Sequence, residues 1–399
     1  MVIYDNIVIG SGISALGAVL GLNRQQRTLV LAGPTAESFC HYNLQRLVPC
    51  AYLGLGGLGN YWHGVIPMSQ TSNFGSSSDA DFTALFKKFY PRVALPRHLR
   101  QPRFFVPWRP IRPAQEFKSL AQSHGSRLEI HAQTADRFIW KDTRIEVIAT
   151  DGARYRGRRV WIAAGSIHTP PLLERSTGSK FSRGFVSDHA VSYVGMLYEQ
   201  QPPEIARNRD GVLFPAHYES SGGSVYTLRP ARFAFGRLDF GIEQRAVFGM
   251  PTGSAVSKIM RRFSPGLIAE ALYNRAGMFP KAKAYSVYAQ TLVRDAYKLG
   301  TGTLPLEART ELILRATGEA RERAPFPGLR VSQRRDLYIP GIHLHHSVDL
   351  AALTAAGINQ EGSSVQVVDA SAVQDIGPDH HSFKLMLQAC MRTRAAEGH

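Results

Sequence analysis

The side chains best suited to chemistry gather near the C-terminus. Five of the 14 histidines fall in two short stretches, His343-Leu344-His345-His346 and His380-His381. Imidazole has an unperturbed pKa of about 6.5, so it can accept a hydroxyl proton at neutral pH, and a second imidazole can steady the alkoxide that forms. Tyr338-Ile339-Pro340 leads into the first stretch; in an extended chain His343 and His345 point to one face and His346 to the other. Gly377-Pro378-Asp379 precedes the second stretch, which opens an amphipathic helix. His343, His345 and His380 are the expected catalytic residues, while His346 and His381 read more economically as hydrogen-bonded structural residues. A His-x-His pair with a third imidazole also suits a three-nitrogen zinc site. That alternative gives the glycine-rich segments no role, and no metal is expected.

The first of those segments lies at the other end of the chain. Residues 3–9 (IYDNIVI) run straight into Gly10-Ser11-Gly12-Ile13-Ser14-Ala15, followed by a helical stretch from Leu16 to Leu22 and a strand at Thr28–Leu31. In a G-x-G-x-x-A turn the first glycine permits the tight turn. The second lets backbone approach a pyrophosphate, and the small third residue packs helix against strand. The bare N–H groups of the helix then face the phosphates. An acid normally closes the second strand and holds the ribose hydroxyls, but that position is Ala32, which leaves ribose binding to a backbone group or to Glu37.

Four separated segments resemble the glucose-methanol-choline (GMC) oxidoreductases. Gly10–Ala15 is similar to the family's FAD pyrophosphate loop, and Gly56-Gly57-Leu58-Gly59-Asn60-Tyr61-Trp62-His63-Gly64 resembles its stretch beside the flavin. Residues 163–173 (AAGSIHTPPLL) resemble the family's A-A-G-x-x-x-T-P-x-L-L signature, with Asp188-His189 following as its D-H often does. Val368-Asp369-Ala370-Ser371 is similar to the element that lies along the flavin, and His380 falls where the family places the second member of its active-site pair. The resemblance implies non-covalent FAD held by Gly10, Gly12, Ser14, Ala15, Gly57, Asn60, Trp62, His63, Ala164, Gly165, Asp369, Ala370 and His381. Non-covalent attachment is expected because Tyr61 stands at the spacing where some members carry a flavin-linking histidine. In the family the base stands three residues before a Gly-Thr pair; here His346-Ser347 occupies that place after His343, which leaves the base open between His343 and His345.

The elements that must position these residues make an α/β protein. The resemblance implies a Rossmann-like FAD-binding domain from 1–70, 120–190 and 341–399, a connecting segment at 71–119 and an inserted substrate domain at 191–340. Phe82, Leu85, Phe86 and Phe89 behind Ser78 predict a helix over 78–89. Prolines 102, 107, 110 and 113 predict an irregular connection at 101–113, and 127–165 alternates as strands and turns around Asp151-Gly152. Between 255 and 299 the spacing of Tyr285, Tyr288, Ala289, Leu292 and Ala296 predicts helix with a basic face. That face is expected to be solvated; peripheral contact with an anionic membrane is the sharper alternative.

Composition narrows the class. Hydrophobic residues make up 44% and charged residues 20%, which reads as globular. The 47 Lys and Arg against 31 Asp and Glu give +16, a field that draws in anionic or carrier-linked small-molecule substrates. No zinc-finger spacing, RNP-like motif or basic heptad helix is present, so nucleic acid is not expected. The absence of a leader-like start and the three scattered cysteines predict a reducing, cytoplasmic location. The expected activity is hydride transfer from an alcohol carbon of a sugar or biosynthetic intermediate to flavin N5. The altered His346-Ser347 position admits a non-redox isomerisation, cyclisation or elimination instead, and the missing acid at Ala32 admits a degenerate partner subunit.

Overall fold

The computed structural model describes residues 2–34, 37–42, 46–62, 64–68, 79–94, 103–198, 203–230, 272–273, 277–278, 281–300, 306–333, 338–379 and 381–397. His63, Ser78 and His380 lie outside the described residues, as does the side chain of Glu37.

Apolar runs near both chain ends build a parallel sheet. β1 (Ile3–Ile9) lies between β2 (Thr28–Leu31) and β6 (Arg154–Ile162); β3 (Leu128–His131) extends the β2 side, and β10 (Val365–Val367) joins β6. An antiparallel hairpin, β4 (Ala135–Lys141) and β5 (Arg144–Ala149), attaches to the first half of β6. Alternate side chains serve opposite cores, as the strand period of two requires. Val8, Val30 and Trp161 pack under α1 (Ile13–Gly21) and α4 (Ser382–Ala396), while Ile7, Ile9, Leu29 and Ile162 pack under α3 (Thr169–Thr177). α1 and α4 touch backbone to backbone. A Cβ on Gly17 would stand 2.1 Å from the Met386 carbonyl oxygen, and one on Gly21 would stand 2.2 Å from that of Cys390.

A second, mostly antiparallel sheet is organised around β9 (Ala284–Leu299), which pairs with β7 (Phe185–Tyr198) along one edge and with β8 (Ser224–Pro230) along the other. The strands Glu37–Tyr42 and Arg46–Tyr52 join it through Leu306–Ala308. The second sheet thus draws on residues before 70, and the expected boundary at 190/191 falls inside β7.

Ala284–Leu299 is strand, not helix. Most of its side chains are buried on both faces, and a doubly buried strand reads as a near-continuous apolar run in which a 3.6 period can be found by chance. Its content of Tyr285, Val287, Tyr288, Thr291, Val293 and Tyr297 favours the strand. The basic helical face therefore does not extend over this segment; residues 255–271 lie outside the described residues. The stretch 101–113 also departs from expectation. Arg103–Pro107 is a strand between Ile66–Pro67 and Gly211–Pro215, with Pro107 closing it and Pro113 opening the helix Pro113–His124. The helix expected over 78–89 is present as α2 (Asp79–Phe89) and buries Leu85 and Phe86 against Phe383 and Phe105.

Candidate active site

A cavity of about 750 Å³ is lined by residues of both sheets, and its walls join the two chain ends. Gly10, Ser11, Gly12 and Ser14 line it at the start of α1. Gly10 has φ +108, and a Cβ there would meet the Ala163 carbonyl oxygen at 2.1 Å, so no other residue fits the turn. Gly12 caps α1 without a side-chain hydrogen bond, the first turn carries no acid, and nothing stands within 4 Å of where a Gly12 Cβ would be. The bare N–H groups of a nine-residue helix thus open on unfilled space, which suits a pyrophosphate. Ala15 is fully buried behind this turn, where its small side chain lets helix and sheet close.

Further along, Ala32 and Gly33 close β2 and line the cavity beside Gln133 and Thr134. Among the described lining residues Asp369 is the sole carboxylate, and the side chain of Glu37 lies outside them. The 3-10 turn Gly57–Tyr61 is stapled to the glycine loop through Ser11, whose Oγ donates to Gly54 O (3.2 Å) and accepts from Gly56 N–H (3.0 Å). Gly57, Tyr61 and Trp62 line the cavity. Asn60 does not: its Nδ2 donates to Leu55 O (2.8 Å) and its Oδ1 accepts from Ala114 N–H (3.2 Å), so it fixes the turn onto the helix Pro113–His124. Ala164, Gly165 and Ala370 line the opposite wall. Asp369 binds these segments together by accepting from Gly165 N–H (2.7 Å), Thr169 Oγ1 (2.8 Å) and Ser371. Burial raises its pKa, and these hydrogen bonds pull it back.

Four imidazoles meet where the cavity passes from one sheet to the other. The His343 and His381 ring centroids are 4.5 Å apart, His189 lies 4.9 Å from His381 and 5.5 Å from His343, and His345 lies 6.0 Å from His381. Only His343 and His381 of the four line the cavity. Backbone carbonyls fix three tautomers. His189 Nε2–H donates to Gly377 O (2.7 Å), His345 Nδ1–H to His343 O (3.0 Å) and His381 Nδ1–H to Asp379 O (3.2 Å). The acceptor nitrogens left over are His189 Nδ1, His345 Nε2 and His381 Nε2; the first two have no partner among the described residues. Burial pushes His189 down to about 4 and His345 down to about 3, and burial with the neighbouring imidazoles holds His381 well below its ordinary value. These three rings are neutral at pH 7. The ligand nitrogens of His189, His343 and His381 lie within 4.8 Å of one another, a three-imidazole group that could hold a metal ion.

The elements behind the histidines hold them in place. Asp188 is fully buried and accepts from His343 N–H (2.6 Å) and Ile342 N–H (3.1 Å), clamping a turn in which Ile342 takes φ +53. Burial raises the Asp188 pKa to about 7 against the pull of those N–H groups. Ser166 Oγ donates to Leu344 O (2.6 Å) and ties the 163–169 segment to the same stretch. Tyr218 OH donates to Asp379 (2.8 Å), and the buried Lys384 pairs with both Asp379 oxygens, so the loop before His381 is gripped from both sides. His346 holds a turn instead of joining the cluster. Its φ is +56, and Arg183 donates to its Nδ1 (3.0 Å) and its carbonyl (2.8 Å).

No family model matches the sequence and no curated protein matches it. Solved structures do. Pyridoxine 4-oxidase from Mesorbium loti aligns over 99% of this chain and 99% of its own with a TM-score of 0.54 at 13% identity. Formate oxidase from Aspergillus oryzae RIB40 aligns over 99% and 98% with a TM-score of 0.52 at 12% identity. The chain has the GMC oxidoreductase fold. Within that fold the cavity joins the nucleotide turn to the histidine pair. His189 and Asp188 were not among the sequence-predicted site residues; the one available signal was their adjacency in the D-H pair after the 163–173 signature. His381, read from sequence as structural and cofactor-side, stands face to edge with His343 in the cavity wall.

Proposed function

We propose that the chain is an FAD-dependent oxidoreductase that removes hydride from an alcohol carbon. The observation that carries this reading is the continuity of the cavity from the uncapped N-terminus of α1 to His343 and His381. The likeness to a pyridoxine oxidase and a formate oxidase supports it. FAD would be held through its phosphates by Gly10, Gly12 and the first turn of α1, with its ring system against Gly57, Trp62, Gly165 and Ala370. When bound it supplies the hydride acceptor.

The chain's own residues do the remaining work. His381 keeps its proton on Nδ1 against Asp379 O, so its Nε2 is an acceptor for the substrate hydroxyl, and His343 stands beside it to share the proton as the carbinol carbon is oxidised. Asp188 and Ser166 fix the backbone under His343, while His345 supports this backbone from behind. FAD is held without a covalent bond, and the +16 net charge favours anionic or carrier-linked alcohols.

The test begins with the visible spectrum of the purified protein before and after heat release. A released two-band flavin spectrum, bleached by an alcohol under anaerobic conditions, is the expected result. A colourless protein that takes up no added FAD overturns the assignment.

A further inference from the structure

One polar side chain stands in an apolar row of the second sheet. Val225 of β8, Gln290 of β9, Val191 of β7 and Ile339 of the strand Tyr338–Pro340 lie side by side across four paired strands, and all four line the cavity. Gln290 is only 7% exposed, so the hydrogen bonds of its amide must be made within the protein or with a ligand. Its Nε2 donates to Pro378 O (3.0 Å). A carbonyl can only accept, so this bond fixes which way the amide faces and turns Oε1 away from Pro378. Among the described residues nothing donates to Oε1, and that oxygen is not sealed into the core but opens on the cavity.

The row borders the reaction centre. His189 stands two residues before Val191 in β7, opposite Leu292, on the same face as Gln290 and diagonal to it. Its ring lies 4.9 Å from that of His381. The two side chains also hold one loop, His189 donating to Gly377 O (2.7 Å) and Gln290 to Pro378 O. The acceptor oxygen of Gln290 and the acceptor nitrogen of His381 thus open on one cavity from neighbouring supports.

We propose that Gln290 Oε1 accepts a hydrogen bond from a second hydroxyl of the substrate, so that the site selects alcohols carrying a hydroxyl beside the one that is oxidised. This deepens the alcohol-oxidation reading and rests on it. A diol gives the amide oxygen a donor. A mono-alcohol of the same shape displaces water and gives it none, which leaves a desolvated acceptor unpaired among Val191, Val225 and Ile339. An ether oxygen at the same place sets acceptor against acceptor. The second hydroxyl is held and not consumed, so Gln290 determines specificity and takes no part in the hydride or proton transfer.

The FAD-loaded protein is given cyclohexanol, cyclohexane-1,2-diol and 2-methoxycyclohexanol, and anaerobic flavin reduction is followed. Pinacol and 2,3-dimethylbutan-2-ol, tertiary alcohols with no hydrogen on the carbinol carbon, are titrated separately by calorimetry as non-reacting probes. The expected outcome is an apparent affinity for the diol at least about tenfold above those for cyclohexanol and the methyl ether, with pinacol preferred over its mono-alcohol in the same way. Gln290→Met, similar in length but without the amide oxygen, brings both ratios toward one while FAD content stays that of the wild type. Gln290→Glu, which still offers an oxygen to the substrate, keeps part of the preference. A side chain that only held the 377–381 loop would, when replaced, slow diol and mono-alcohol alike and leave the ratios unaltered; that result overturns the proposal, as does equal treatment of diol and mono-alcohol by the wild type. If no alcohol bleaches the flavin yet pinacol is preferred and Gln290→Met loses that preference, the acceptor stands and the oxidation reading falls.

Discussion

The nucleotide end of the cavity is made of backbone, and the reaction end is made of side chains. At the first, Gly10, Gly12, Gly57 and Gly165 leave room beside the uncapped first turn of α1; at the second, four imidazoles arrive from three distant parts of the chain and are oriented by carbonyls and by Asp188. The difference teaches where each half is vulnerable. A backbone cradle fails when an atom is added, whatever the pH. A side-chain cluster fails when an atom is removed and responds to protonation.

Adding one carbon at the cradle is the most severe break. Gly10→Ala forces a Cβ against Ala163 O at φ +108, and a loss of about 3 kcal/mol or more in stability is expected together with loss of bound FAD. Denaturant unfolding and flavin content measure both; a variant with normal flavin content would show that the turn is less constrained than its geometry indicates.

At the reaction end the fold should survive while the rate collapses. His343→Ala and His381→Ala are each expected to retain FAD and to slow anaerobic flavin reduction by about 10²- to 10⁴-fold. His345→Ala removes a ring behind the cavity wall and should cost less than either. Equal losses in all three would break the division between lining and supporting histidines.

Asp188 distinguishes the two ends by pH. Its native pKa of about 7 lies above the ordinary 3.8, so the folded protein holds a proton that the unfolded chain has released. The stability this gives is full below about pH 4 and is lost as pH rises through about 7. Asp188→Asn cannot titrate, so its unfolding midpoint should change less than the wild type's between pH 4.5 and 7.5. An undiminished wild-type slope in the variant would place the titrating group elsewhere.

The smallest effect is a gain. Ala32→Asp supplies the missing ribose partner at the end of β2 and is expected to tighten FAD by up to about tenfold, roughly 1.4 kcal/mol. Fluorescence titration of the apoprotein reads it, and weaker binding would mean that Gln133 or a backbone group already serves the ribose.

How much of this was legible in the sequence follows from the same contrast. Gly10–Ala15 and the 163–173 segment could be read because a cradle of backbone is built from contiguous small residues, and contiguity survives in a linear string. The reaction centre is assembled in space. His343 was visible through its neighbours, but His189 reaches the cluster from inside β7, where its adjacency to Asp188 was the one signal that set it apart from a buried strand residue. β9 was misread because burial on both faces erases the period of two. Asn60 sits within a cofactor motif yet turns outward to Ala114, an orientation that spacing does not report.

The backbone contact of α1 with α4 through Gly17 and Gly21 has a consequence for biogenesis. The helix that presents the phosphate cradle, Ile13–Gly21, and the helix it rests on, Ser382–Ala396, lie far apart in the chain, and the second is made long after the first. Until α4 has left the ribosome, α1 has an apolar stripe with nothing to cover it and the cradle has no fixed position. Cofactor loading must therefore wait until α4 has been made, and a chain released before that point would leave an aggregation-prone nascent Rossmann unit unable to capture its flavin.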